Sequence, residues 1–195
     1  MIDVKEHIIE TAEEQFRLYG TKSVSVEDIC ETLKISKKTL YQHFRSKKEL
    51  LAKTVEFIFN RHFEKINRIL EKDISALEKF VLIYRYGIQQ MVKYDPAFFH
   101  EMKKYHHEAH CQYEEKRKEI VFHMIKGLLE EAQKDGEIRA EVNLDLFCEL
   151  YLSKMDTVLV SRDLKEKYPK KELLNHLIIY NLRGIATHPH KISIP

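Results

Sequence analysis

Residues 25–51 read SVEDICETLKISKKTLYQHFRSKKELL. Three helix-start serines, Ser25, Ser36 and Ser46, are crowded into this one stretch. Ser25 is followed three residues on by Asp28, and Ser46 by Glu49, the spacing of a capping box. Val26, Ile29, Cys30 and Leu33 give the first short helix an inner face. Leu40 and Phe44, at i and i+4, give the second helix its own. Lys34-Ile35 makes the turn between them, and Arg45 breaks away before the third helix starts. A short helix, a tight turn and a second short helix form a helix-turn-helix, whose second helix enters the major groove.

The charge agrees with that reading. Residues 34–53 carry seven bases (Lys34, Lys37, Lys38, Arg45, Lys47, Lys48, Lys53) against the one acid Glu49. The window is +6 in a chain of formal net charge +2, so the remainder sums to −4. A local basic patch on a near-neutral protein implies one polyanion-binding face. The open side of the second helix offers Lys37, Lys38, Thr39, Tyr41, Gln42 and His43. Lysines at a helix N-terminus oppose the dipole there, and make sense if that end faces phosphate. Ser25 and Ser36 supply hydroxyls and free N–H groups to phosphate, and Lys47 is a third anchor. Lys48 and Lys53 read as solvated surface.

Outward from this segment the chain is helical. It has 195 residues, 44% apolar, with five Gly and four Pro, and almost no strand-like alternation. That suffices for one sizeable core, or for a small domain joined to a larger one. The first helix spans about Val4 to Tyr19, with a stripe of Ile8, Ile9, Ala12, Phe16 and Tyr19, and Gly20 ends it. The fourth helix starts at Ser46 and carries Leu50, Leu51, Val55, Ile58, Phe59, His62, Ile66 and Leu70. At about 24 residues it is roughly 36 Å long, enough to link two domains rigidly. A fifth helix, about Ser75 to Tyr94, is apolar at its centre and reads as buried all round. Asp95-Pro96 opens a short sixth helix. The seventh runs from about His107 to Asp135, stopped by Gly136. Asn143 caps the eighth, about Leu144 to Asp163. The ninth covers about Lys170 to Thr187, and the tail HPHKISIP is expected to fray.

On the eighth helix Phe147, Leu150, Tyr151 and Val158 form one stripe, and Leu144, Cys148, Leu152, Met155 and Leu159 another. The ninth carries Leu173, Leu174, Leu177, Ile178, Ile179, Tyr180, Leu182 and Ile185. Apolar residues on two sides of terminal helices call for two partners: the chain's own core and a second subunit in an isologous four-helix contact. The alternative is that both faces are internal.

Residues 25–51 resemble the signature of the TetR/AcrR repressors. That pattern has Thr or Ser before the second helix, Ile and a small residue within it, Ser opening the third, Tyr-x-His-Phe, then Lys followed by Leu. Here these are Ser25, Ile29-Cys30, Ser36, Tyr41-Gln42-His43-Phe44, and Lys47 with Leu50. The resemblance is close over about residues 5–52, and looser beyond, through helix order and the DGEIRAEVN bend. It implies an all-α homodimer of about nine helices, with an N-terminal three-helix DNA-binding domain (1–50) and a C-terminal ligand-binding and dimerisation domain (51–195). It assigns DNA-backbone contacts to Ser25, Tyr41, His43 and Lys47, and base-facing positions to Lys37, Lys38, Thr39 and Gln42. Two positions depart from it. Leu33-Lys34 stands where Ala-Gly is common, so Lys34 is expected in a left-handed conformation. Lys38 stands where Gly is common in the first turn of the third helix.

Other clusters carry less. His106 and His110 are spaced i, i+4, as are His107 and Cys111, but no HExxH or distant carboxylate completes a zinc set. They read as polar helix surface, with a His lining a cavity. Arg85, inside FVLIYRYGI between Tyr84 and Tyr86, is expected to be buried and to need a partner. That partner is Asp156 or the head group of an anionic ligand. Tyr84, Arg85, Met91, Phe98, Met102, His106, His110 and Tyr113 are the candidate pocket residues for a small-molecule effector. No nucleophile motif, glycine-rich phosphate loop or paired carboxylates occur, so no enzymatic activity, cofactor or metal is expected. Three far-apart cysteines read as reduced thiols. The N-terminus is not a signal peptide, and runs such as Phe80–Tyr84 are too short for a bilayer, so a cytoplasmic location is expected. The resulting reading is a ligand-responsive repressor on a palindromic operator. The alternative is a helical small-molecule-binding protein or enzyme without specific DNA binding.

Overall fold

The computed structural model describes residues 3–188, and these are helical apart from turns and one isolated bridge. The helices are α1 Val4–Tyr19, α2 Val26–Leu33, α3 Lys37–His43, α4 Lys47–Leu70, α5 Ala76–Met91, α6 Pro96–Tyr105, α7 His107–Glu119, α8 Lys126–Lys134, α9 Leu144–Val160, α10 Arg162–Lys167, α11 Lys170–Leu174 and α12 Tyr180–Ile185. The chain packs as two compact units. One is 1–64 with 93–116, and the other is 65–92 with 117–195.

In the first unit α1 packs on α2 and α6, and α2 on α3. Its core is the one the spacing predicts: Ile8, Ala12, Phe16, Ile29, Leu40, Phe44, Leu50, Leu51 and Val55 are buried. Tyr19, expected on the α1 stripe, is 63% exposed, whereas Glu13 of the same helix is buried. Glu13 sits one turn before Arg17 and meets partners on other elements. Tyr94 donates its hydroxyl to Glu13 Oε1 at 2.9 Å, Arg61 approaches Oε2 at 3.4 Å, and Arg17 Nε lies 3.7 Å from Oε1. A buried carboxylate persists only when satisfied in this way. Beside Arg61, burial pushes the His62 imidazole down to about 4, with Arg61 and Lys93 adding to the effect.

Local chemistry sets the helix ends. Gly20 closes α1 at φ +84° and donates its N–H to the Phe16 carbonyl. Ser25 and Asp28 form the predicted capping box. At the start of α4, Glu49 takes the N–H of Arg45 at 2.6 Å rather than that of Ser46, while Ser46 Oγ accepts from Glu49 N–H. The carboxylate therefore reaches one residue further back than a standard box. Lys34 is left-handed, φ 54° and ψ 39°, as expected of a residue standing where glycine is usual. An L-residue pays about 1–2 kcal/mol there. Lys34→Gly is therefore expected to stabilise this unit by about 1 kcal/mol, since glycine adopts φ > 0 freely. A chemical-denaturation midpoint no higher than that of the wild type would refute the strain.

The second unit is built around Phe80, Ile83, Tyr84, Ile88, Leu128, Leu129, Cys148, Ile178, Ile179 and Leu182. Several expectations change here. Helix α5 is not buried all round: Glu78, Arg85 and Gln89 line an exposed side, at i, i+7 and i+11 of one helical face. Arg85 thus needs no buried partner, and the side chain of its expected partner Asp156 lies outside the described residues. So do the side chains of Val158, Leu159 and Leu174, and the tail beyond His188. The rod from His107 passes through a π-helical stretch, Ile120–Ile125, before continuing as α8. Ser161 ends α9 and caps the separate α10, accepting from Leu164 N–H. The last rod, 170–185, contains a second π stretch, Asn175–Ile179, and stops where Ala186 pairs with Ile138 and Thr187 N–H reaches the Glu137 carbonyl.

Candidate nucleic-acid interface

The start of each helix in the helix-turn-helix is fixed by a serine. Ser36 Oγ accepts the Thr39 N–H at 3.0 Å and shares a hydrogen with the Thr39 hydroxyl at 2.9 Å. This turns the half-buried Thr39 back toward the cap. Ser25 donates both its N–H and its hydroxyl to Asp28 Oδ2, each at 2.7 Å. Those bonds hold the Asp28 carboxyl below its ordinary range. In this state the Ser25 donors face Asp28, so a phosphate contact through them requires exchange. Gln15 of α1 donates to Thr32 Oγ1 at 2.6 Å and holds α2 in place.

With Leu40 and Phe44 inward, the rest of α3 points out. Lys37, Lys38, Tyr41 and Gln42 are exposed, and His43 is half-buried. Lys37 pairs with Glu27 of α2, a partner the sequence reading did not name. Lys47, at the first position of α4, lies with its ammonium 5.9 Å from the centre of the buried Phe16 ring. Partial burial lowers its pKa, against the opposing pull of Glu101 and Asp28. Glu101 of α6 also accepts the Lys22 N–H at 2.6 Å and so binds α6 to the α1–α2 turn. Glu27, Lys22 and Glu101 have no local sequence signature; only the packing of α2 on α3 and of α6 on α1 brings them in.

The candidate pocket residues divide between the two units. Tyr84, Arg85 and Met91 belong to one, with Tyr84 buried against Tyr151 and its hydroxyl 3.6 Å from Met155 sulfur. Phe98, Met102, His106, His110 and Tyr113 belong to the other, where Phe98 and Met102 are core residues. Tyr113 stacks edge-on against Phe59 at 5.5 Å and lies 5.7 Å from Phe99. His107 and Cys111 meet at 3.6 Å, and among the described residues no group of three metal-ligating side chains forms. None of the described helices is long and apolar enough to cross a membrane.

Residues 8–54 match the family model for bacterial regulatory proteins of the tetR family. The chain is 29% identical over 178 residues to the uncharacterized HTH-type transcriptional regulator YvaF of Bacillus subtilis, covering 89% of this chain and 92% of that protein. It is 25% identical over 164 residues to the HTH-type transcriptional repressor KstR2 of Mycolicibacterium smegmatis, covering 80% and 77%. The fold superposes on that of a TetR-family regulator from Agrobacterium tumefaciens with a TM-score of 0.77, at 16% identity over 94% of this chain and 97% of the other. The matched segment is the same helix-turn-helix whose caps, core and basic face are described above. Over residues 8–54 the chain thus matches a tetR-family regulatory domain, and over most of its length it is similar to HTH-type transcriptional regulators.

Proposed function

We propose that the protein is a ligand-responsive repressor that binds a palindromic operator as a homodimer and is released by a small molecule. The observation that carries the DNA half is α3. Leu40 and Phe44 are sunk in the core while Lys37, Lys38, Tyr41 and Gln42 stand exposed on the opposite side. Residues 1–50 read the DNA, and 51–195 bind the effector and the partner subunit. Ser25, Ser36, Tyr41, His43 and Lys47 take the backbone, and Lys37, Lys38, Thr39 and Gln42 face the bases. Pairing through α9 and the 170–187 segment is supported by exposed apolar side chains there: Leu146 and Leu150 at 52% each and Tyr180 at 45%. An isologous contact buries such a surface twice. Repression is supported by the similarity to KstR2, a transcriptional repressor. A protein acting on DNA works in the bacterial cytoplasm.

In the unliganded dimer the two α3 helices sit about 34–36 Å apart, or a multiple of it, to meet successive major grooves. The effector favours a different spacing, and it acts only through unequal affinity for the two states. Helix α4 carries the change, because it runs unbroken from the Lys47 anchor to Leu70.

The test is duplex binding by fluorescence anisotropy across a salt series. A palindrome selected from random sequence is expected to bind at least about 10³-fold tighter than random duplex. Lys47→Ala is expected to weaken both equally and to flatten the log–log salt slope by about 0.9. Gln42→Ala is expected to shift base preference by about 1–3 kcal/mol at one position per half-site. Uniform binding to every sequence would discard the repressor in favour of a small-molecule-binding protein that docks on polyanions.

A further inference from the structure

We infer that Lys22 and Lys104, gathered on the exposed ring of Tyr105, form a second phosphate-contacting patch that carries the DNA interface beyond the helix-turn-helix onto the end of α6. This inference rests on the DNA-binding reading above and extends its footprint.

Three observations support it. The Lys22 ammonium lies 4.9 Å from the centre of the Tyr105 ring, and that of Lys104 lies 5.3 Å from it. The two ammoniums are therefore at most about 10 Å apart, both near one aromatic ring despite long, flexible stems. Tyr105 is 43% exposed and both lysines are exposed, so the cluster is open to a large partner. Its position is also fixed. The backbone N–H of Lys22 is bonded to Glu101 Oε2 at 2.6 Å, one helical turn before Tyr105 on α6.

The surroundings select the partner. Lys22 lies three residues before Ser25, the cap of α2, and so next to a proposed backbone contact. His106, the residue after Tyr105, feels the charges of both Lys47 and Lys48, so the start of α4 faces the end of α6. The carboxylate of Glu101, which accepts the Lys22 N–H, lies beside the patch and offsets part of its positive charge. Lys22 and Lys104 thus gather at the end of α6, next to His106, which feels the charges of Lys47 and Lys48 at the start of α4. Lysine acts on phosphate as a point charge and needs no bidentate geometry, so such a patch reads backbone and not base sequence.

The experiment is the salt dependence of duplex binding by the full chain, comparing wild type, Lys22→Ala/Lys104→Ala and the single-lysine control Lys134→Ala. Lys134 is exposed on α8, in the other unit. Each phosphate contact contributes a slope of about −0.9, so the double variant is expected to flatten the slope by about 1.8. Raising salt from 50 to 200 mM is then expected to cost the wild type about twelve-fold more affinity than the double variant. The loss should be equal on operator and random duplex, and Lys134→Ala should leave the slope unchanged. Tyr105→Ala is expected to lose part of the effect, and Tyr105→Phe, which keeps the ring, none of it. A double variant with the wild-type slope and affinity overturns the inference. So does one that keeps duplex binding but loses binding to a polyglutamate peptide, which assigns the patch to an acidic protein. Wild type that binds no duplex at all refutes the DNA-binding reading instead, so the two failures are distinct.

Discussion

Phe16→Ala is expected to lower the stability of the unit formed by 1–64 with 93–116 by about 3–5 kcal/mol. The ring is fully buried on α1, which packs on α2 and α6. Truncation removes its transfer free energy and leaves a cavity that helices fixed by their caps cannot close. The ring has a second role. The Lys47 ammonium lies 5.9 Å from its centre, so this core residue also positions a proposed phosphate anchor. Phe16→Leu separates the two. Leucine restores most of the volume, so the fold is expected to persist with a loss of about 1–2 kcal/mol. The cation–π attraction, about 0.5–1 kcal/mol at such a site, goes with the ring. Duplex affinity should then fall about two- to five-fold on all sequences alike. The measurement is a urea titration followed by both far-UV circular dichroism and duplex binding. If Phe16→Ala loses binding at the same urea concentration as the wild type, Phe16 is not the keystone of this core. If Phe16→Leu binds as tightly as the wild type, the ring does nothing for Lys47.

What the sequence discloses here is chemistry that acts over four or five residues. Ser25 and Asp28 are three apart, Leu40 and Phe44 four apart, and their roles follow from helical geometry alone. The left-handed Lys34 is legible only through the resemblance, in which glycine is usual at that position. What stays hidden is contact between distant residues. The Glu101–Lys22 bond spans 79 positions and the Tyr94–Glu13 bond 81. Glu13 in particular reads as a surface residue until its three partners are known. Composition misleads in the other direction at α5. A run of apolar residues around Arg85 suggests complete burial, yet Glu78, Arg85 and Gln89 fall on one side and reach solvent. The π stretches Ile120–Ile125 and Asn175–Ile179 have no sequence signature. The proposed DNA face is therefore readable in α3 and unreadable at its proposed edge, where Lys104 and Tyr105 arrive from α6.

Gly20→Ala is expected to destabilise the same unit by about 2–4 kcal/mol, of which about 1–3 comes from the backbone and about 0.5–1.5 from one displaced hydrogen bond. Gly20 sits at φ +84° and ψ 165°, a region in which a Cβ is strained whatever space surrounds it. Space is also short. An added Cβ would lie 3.1 Å from the Ala97 Cβ and 2.6 Å from Glu101 Oε2. Ala97 is held in the first turn of α6, its N–H bonded to Asp95, and cannot easily retreat. Glu101 can swing away, but only by releasing the Lys22 N–H. Two causes therefore act together, and a second substitution tells them apart. In a Glu101→Ala background the carboxylate is absent, while the backbone strain and the Ala97 contact remain. Most of the cost of Gly20→Ala is expected to persist there, because a torsion cannot relax as a side chain can. If the cost vanishes in that background, the close approach of Glu101 is what demands glycine, and the turn itself is unstrained. In either case the substitution frees the segment carrying Lys22 and leading to Ser25. Duplex binding by Gly20→Ala should fall even at temperatures where circular dichroism reports a fully helical protein. A variant that melts and binds like the wild type would show that this turn neither stores strain nor orders the DNA-facing residues that follow it.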